Sequence, residues 1–161
     1  MLAKIGRHES KARGMTVVEL LTLMVVVVML AAFAIPGMSP VILRQRLRGA
    51  AWQVAGDLRL ARQRAVTERR PFRVCLSSCA ISVPAGGYSI ERKEGSWISD
   101  TGAPVRLPQD VTVTSTLPQA TFSTNGMVTP SPTFTVSNVI GSYEIAIAST
   151  GRVKVCKGTC P

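Results

Sequence analysis

From Met15 to Ile35 the chain is apolar at almost every position, and Glu19 is the only ionisable side chain in that run. At about 1.5 Å of rise per residue, a helix of this length reaches the ~30 Å of a bilayer's hydrocarbon core, so residues 15–36 are expected to span a membrane. Beyond Pro36 the period changes. Leu47, Ala51, Val54, Leu58, Ala61 and Ala65 recur at alternating steps of four and three, which makes one apolar stripe along a helix over 37–70. Pro71 stops that helix, at about Arg69, because the residue before a proline is pushed toward extended geometry. Residues 71–161 break into short apolar or alternating runs: Phe72–Leu76, Tyr88–Arg92, Val111–Ser115, Ala120–Ser123, Phe134–Ser137, Tyr143–Ala148 and Val153–Cys156. Gly86-Gly87, Asn125-Gly126, Pro130-Ser131-Pro132, Gly141 and Thr150-Gly151 separate them at hairpin-like intervals. The pattern predicts an α+β fold: a long N-terminal helix, apolar then amphipathic, packed on an antiparallel β-sheet or sandwich. The helical stripe supplies the core face that a small sheet lacks.

The charges around the apolar run set its direction. Lys4, Arg7, Lys11 and Arg13 precede it with only Glu9 opposing them, so the N-terminus should stay cytoplasmic and the C-terminal domain should be exported. A secretory signal peptide would place its small-residue cleavage site after the apolar region. Here the small residue, Gly14, comes before it. A carboxylate alone in hydrocarbon costs several kcal/mol, and an ammonium from an adjacent helix would neutralise Glu19 during assembly. An isolated, protonated or snorkelling Glu near the interface is the plainer alternative.

Gly14, Met15, Glu19 and Pro36, in that order and spacing, resemble the class III signal of type IV prepilins and type II secretion pseudopilins. The resemblance implies a 1–14 leader that a prepilin peptidase removes between Gly14 and Met15, methylating the new amine. It also implies a filament in which Glu19 pairs with a neighbour's N-terminal amine, and a helix bent at Pro36. A second stretch narrows the family. Leu58, Ala61, Arg62 and Ala65 match an L-x-x-A-R-x-x-A helix, which leads through Arg70-Pro71 into Phe72-Arg73-Val74-Cys75. Near the C-terminus, Gly151-Arg152-Val153-Lys154-Val155 resembles a closing Gly-Arg strand. Both are similar to the H pseudopilin of type II secretion and to the fimbrial T and U minor pilins. Such a subunit would lie in the inner membrane with its domain in the periplasm, or in an assembled pilus or pseudopilus. Its partners would be other minor and major pilins or pseudopilins and the inner-membrane assembly platform, and it would help to prime assembly.

Cysteine usage agrees with export. Cys75 and Cys79 form one CxxxC and Cys156 and Cys160 another, and an even number in an exported domain reads as disulfides. Three connectivities are open, of which local pairing is the simplest. Zinc is the functional alternative, but both spacings are three and the one histidine, His8, lies in the leader, so no metal or other cofactor is expected.

The 161-residue chain carries 19 Lys+Arg against 9 Asp+Glu. Removing the leader's four basic residues and one acidic residue leaves 15 against 8, a net charge of about +7 that would attract nucleic acid. Some fimbrial T relatives bind DNA during natural transformation through a C-terminal Gly-Arg-x-Arg motif. Gly151, Arg152, Val153 and Lys154 match it with lysine in the last place, which keeps the charge but loses the planar fork. Arg152, Lys154 and Lys157 are therefore the DNA-binding candidates, with a solvated, charge-protected edge strand as the alternative. On the helix, Arg44, Arg48, Arg59 and Arg62 fall within about 60° of one another and make a second basic stripe, for DNA, headgroups or neighbouring subunits. Arg64 and Glu68 are spaced for an exposed helical pair. Trp52, Tyr88, Trp97 and Phe122 are expected in the core rather than as base-stacking platforms. Glu91, Glu94, Asp100 and Asp110 read as polar-turn residues without partners, and no catalytic motif accompanies them, so no enzymatic activity is expected.

Overall fold

The computed structural model describes residues 16–34 and 39–160, in two compact units that divide after residue 38. Gly14, Met15 and Pro36 lie outside the described residues.

The first unit holds helix α1, Val17–Ala34. Thr16 stands at its N-cap: the Thr16 Oγ1 accepts the Glu19 backbone N–H at 3.3 Å. Thr16 and Glu19 have the spacing of a capping box, and a carboxylate in the first turn favours the positive end of the helix. The described large apolar side chains of α1 are exposed, from 49% at Leu23 to 78% at Val17. A helix that is apolar all round is one that is normally buried, in a protein core or in a membrane. Among the described residues no helix is long and apolar enough to cross a membrane. The 18 residues of α1 rise about 27 Å, just short of the ~30 Å core.

The second unit opens with helix α2, Ser39–Thr67. Its stripe is buried as the spacing requires: Leu47, Ala51, Val54, Leu58, Ala61 and Ala65, joined by Ala50 and Ala55. The small alanines let the helix sit close to the sheets, while Leu58 and Val54 fill the space between. Arg69 adopts φ 52°, a left-handed conformation that ends the helix just before Pro71.

Eight strands follow: β1 Phe72–Cys75, β2 Ser89–Glu94, β3 Ser96–Ser99, β4 Thr112–Ser115, β5 Gln119–Phe122, β6 Thr133–Asn138, β7 Gly141–Ile147 and β8 Val153–Lys157. They form two antiparallel sheets, β3-β2-β1-β5 and β4-β6-β7-β8. Helix α2 packs on both sheets, reaching β1 and β5 of the first and β6, β7 and β8 of the second. Alternation decides which strand residues turn into the core. From the first sheet these are Phe72, Val74, Tyr88, Ile90, Ala120 and Phe122, and from the second Val113, Phe134, Val136, Ile145 and Ile147, all in one core with α2. Strand β3 falls outside the runs read from the sequence. Its four residues, Ser-Trp-Ile-Ser, follow Gly95 directly, and pairing of Glu94 with Ser96 makes a tight hairpin with β2.

Candidate functional site

The basic residues near the C-terminus divide between two faces. Strand β8 is an edge strand, paired to β7 alone. Arg152 and Lys154 are exposed, and Lys154 lies opposite Ala146 on the face turned away from the helix. Lys157 has the parity of Val153 and Val155, which pack on the core. It therefore lines a cleft of about 510 Å³ together with Arg44, Arg48 and Tyr143. The strand's own alternation prevents Arg152, Lys154 and Lys157 from forming one surface.

The helical arginine stripe is divided as well. Arg62 donates from Nε to the Gly126 carbonyl at 3.2 Å and from Nη2 to the Thr150 carbonyl at 3.3 Å. Arg59 donates to the Val153 carbonyl at 3.4 Å and lies 5.9 Å from the ring centroid of Trp52. These two guanidiniums fasten the helix to the turns around β8, whereas Arg44 and Arg48 face the cleft. Gly151 fits this junction because it has no side chain. It sits at φ +77°, and a Cβ there would lie 2.0 Å from the Gly126 carbonyl oxygen and 2.6 Å from Arg62 Nε. Gly126, at φ +74°, would in turn crowd Val66 and Arg62. The motif helix and the Gly-Arg turn are thus two halves of one contact.

The first sheet carries a polar cluster that the sequence reading did not anticipate. Arg73 on β1 and Glu91 on β2 lie opposite each other in register. The Arg73 guanidinium donates to Glu91 Oε2 and to Gln119 Oε1, each at 2.6 Å. Glu91 is fully buried and also accepts the Ala80 backbone N–H at 2.6 Å. Trp97 covers the Arg73 guanidinium at 4.3 Å. The pair is therefore closed by the loop that the Cys75–Cys79 disulfide staples down. Cys75, Cys79 and Glu91 offer donor atoms within 4.8 Å of one another, but both sulfurs are consumed by their mutual bond, so the donor set does not suit a metal. The second disulfide joins Cys156 to Cys160, and Glu144 holds the same tail by accepting the Cys160 N–H at 2.7 Å. Of the three connectivities, the local one is present.

Acidic residues expected in turns without partners all have them. Glu94 pairs with Arg70 and Arg92, Asp100 with Arg64 and Arg92, and Asp110 with Arg46. Arg64 thus reaches Asp100 rather than Glu68. Arg92 stands two residues from Glu94 on β2, whereas Arg46, Arg64 and Arg70 reach acids 64, 36 and 24 residues away in the chain. Tyr88 is fully buried and donates its hydroxyl to Asp57 of α2. Burial first, and then that hydrogen bond, push its phenol well above the usual tyrosine range. Phe122 is buried, as expected, while Trp52 is 49% exposed and Trp97 is half-buried as a lid.

The family model described as type II transport protein GspH matches residues 50–151 of this chain. The chain belongs to the GspH family. The fold agrees. The minor pilin FimU of Pseudomonas aeruginosa is 24% identical with a TM-score of 0.52, over 70% of this chain and 89% of that one. The minor pseudopilin EpsH of Vibrio cholerae is 14% identical with a TM-score of 0.58, over 70% of this chain and 97% of that one. A second EpsH structure gives 12% identity and the same TM-score, over 73% and 97%. No curated protein matches the sequence. In this GspH-family chain the matched segment runs from the buried helical stripe to Gly151, so it ends on the glycine that meets Arg62.

Proposed function

We propose that the protein is a minor pilin or pseudopilin, a subunit that helps to prime a type IV pilus or type II secretion pseudopilus. Its membership of the GspH family makes it a structural subunit of this kind; the role in priming, the membrane anchor and the Glu19 chemistry are the finer reading. One observation carries that reading. Helix α1 is apolar, its described large side chains are exposed, and its only charge is Glu19 in the first turn. Such a helix is covered by lipid before assembly and by other subunits' helices afterwards, and Glu19 finds its cation only in the second setting. In this reading a prepilin peptidase cuts before Met15 and methylates it. The chain then crosses the inner membrane once, with its N-terminus cytoplasmic and its domain periplasmic, until the assembly platform moves it into the filament. The β-domain works by contact with neighbouring pilins and holds no cofactor. Glu19→Ala should leave the chain inserted in the inner membrane yet deplete it from filaments at least ten-fold. Recovery of the variant in filaments at the parent level would remove Glu19 from the account.

A second reading, a minor pilin that binds DNA for uptake in transformation, is favoured by Arg152 and Lys154. Both are exposed at the free edge of the second sheet, and among the described residues neither has an acidic partner within ion-pair distance. A salt-dependent DNA affinity that falls on replacing both with Ala would support it.

A further inference from the structure

The cleft beside the start of α2 combines cations with exposed apolar residues at one end of the domain. Arg44 and Arg48 on α2 and Lys157 at the end of β8 line it, over a floor that includes Val41, Ile140 and Tyr143. Among the described residues none of these three cations has a carboxylate within ion-pair distance, whereas Arg46 between them is paired with Asp110. The tip of the β6–β7 hairpin stands at the same place: Ile140, 37% exposed, lines the cleft with Val41, 53% exposed, and Val139 before it in the chain is 88% exposed. The tip is held there because Asn138 Nδ2 donates to the Leu43 carbonyl of α2 at 3.0 Å, and Asn138 Oδ1 accepts the N–H of both Ile140 and Gly141. Lys157 is held too: the Gly158 N–H bonds to the Ser142 carbonyl at 3.0 Å, and the Cys156–Cys160 disulfide closes the tail around it.

We propose that this end of the domain is a docking surface for an anionic phospholipid bilayer, with Val139 and Ile140 entering the headgroup region and Arg44, Arg48 and Lys157 binding lipid phosphates. An exposed apolar tip ringed by unpaired cations is the chemistry of an interfacial membrane contact. Chain length places a bilayer within reach. Val41 follows the last residue of α1 by seven positions, so it stays within about 25 Å of the end of that helix however the intervening chain runs. The inference rests on the reading of α1 as the membrane anchor. Before assembly, the domain would lie against the leaflet from which its own helix emerges. Entry into a filament would then exchange lipid phosphates for other contacts.

The test uses the full chain in lipid nanodiscs, with Val139→Trp as reporter and brominated lipids as quencher, after subtraction of the signal from Trp52 and Trp97. In discs containing phosphatidylglycerol, the reporter should be quenched. Quenching should be lost in phosphatidylcholine alone, in about 0.5 M salt, and in a variant carrying Arg44→Glu and Arg48→Glu. The salt arm needs no charge substitution and so survives any misfolding of that variant. A chain that inserts into discs but shows the same reporter signal with both lipids overturns the docking surface while leaving the anchor intact. The same holds if quenching grows with the number of protein copies per disc, or is competed by DNA, independently of lipid charge. A chain that fails to insert into any disc overturns the anchor reading itself.

Discussion

Replacing Gly151 with Ala tests whether the helix motif and the C-terminal turn form one structural unit. Two costs add. A side chain at φ +77° is strained by about 1–2 kcal/mol, because Cβ crowds the backbone in the left-handed region. The new Cβ also falls 2.0 Å from the Gly126 carbonyl oxygen and 2.6 Å from Arg62 Nε, so the turn that carries this carbonyl must shift and the guanidinium must leave the two carbonyls it joins. Arg62 is exposed and water replaces part of what it loses, so those bonds contribute about 0.5–1 kcal/mol each. Before the cost of shifting the turn, the sum is about 2–4 kcal/mol, or roughly 8–16 °C of Tm for a domain of about 120 residues. Circular dichroism melting of the full chain in detergent would measure it, with Gly141→Ala as control. Nothing lies within 4 Å of a Cβ at Gly141, and that variant should stay within about 0.5 kcal/mol of the parent. Arg62→Ala should add little to Gly151→Ala, since both break one contact. A Gly151→Ala melt within 2 °C of the parent, or full additivity with Arg62→Ala, would refute the reasoning.

Glu91→Gln leaves Arg73 buried beside a neutral amide and should cost about 3–5 kcal/mol in urea unfolding, while Glu91→Leu with Arg73→Leu should cost distinctly less. A single variant as stable as the parent would show that the buried pair is not needed. The Tyr88 phenol is raised in the folded state, so its contribution is complete below the unfolded value near 10 and is lost as pH climbs from there toward the folded value. Chemical denaturation from pH 8 to 11 should show falling stability, and Tyr88→Phe should flatten that limb while costing about 1–2 kcal/mol at pH 7. Replacing Cys156 and Cys160 with Ser should cost about 2 kcal/mol, the loop-entropy estimate for so short a ring. It should also raise hydrogen exchange at Lys157 and Gly158; unchanged exchange would mean that Glu144 alone secures the tail.

Local periodicity made much of the fold legible. The stripe from Leu47 to Ala65 is the buried face of α2, and the stop before Pro71 falls where Arg69 turns left-handed. Most strands announced themselves by alternation, but β3 did not, because Ser-Trp-Ile-Ser is too short and polar to stand out beside charged β2. The site was less legible, for a physical reason. Arg73 meets Glu91, Arg64 meets Asp100, and Arg62 meets Gly126 and Thr150 across separations of 18 to 88 residues. No helical or strand period reports such pairings. A hairpin register aligning Phe72 with Arg92 would have exposed the Arg73–Glu91 pair, since both sit at positions turned away from the helix. The grouping of Lys157 with Arg152 and Lys154 fell to strand parity. Lys157 shares its face with Val153 and Val155, and its neighbours are arginines more than a hundred residues earlier in the chain.

The central claim is that the chain is a processed filament subunit, and mass spectrometry of purified filaments or pseudopili tests it most directly. Peptides of the β-domain are expected in the filament fraction, together with an N-terminal peptide that begins with N-methylated Met15. A chain confined to the membrane fraction, or found in filaments with residues 1–14 still attached, would contradict it.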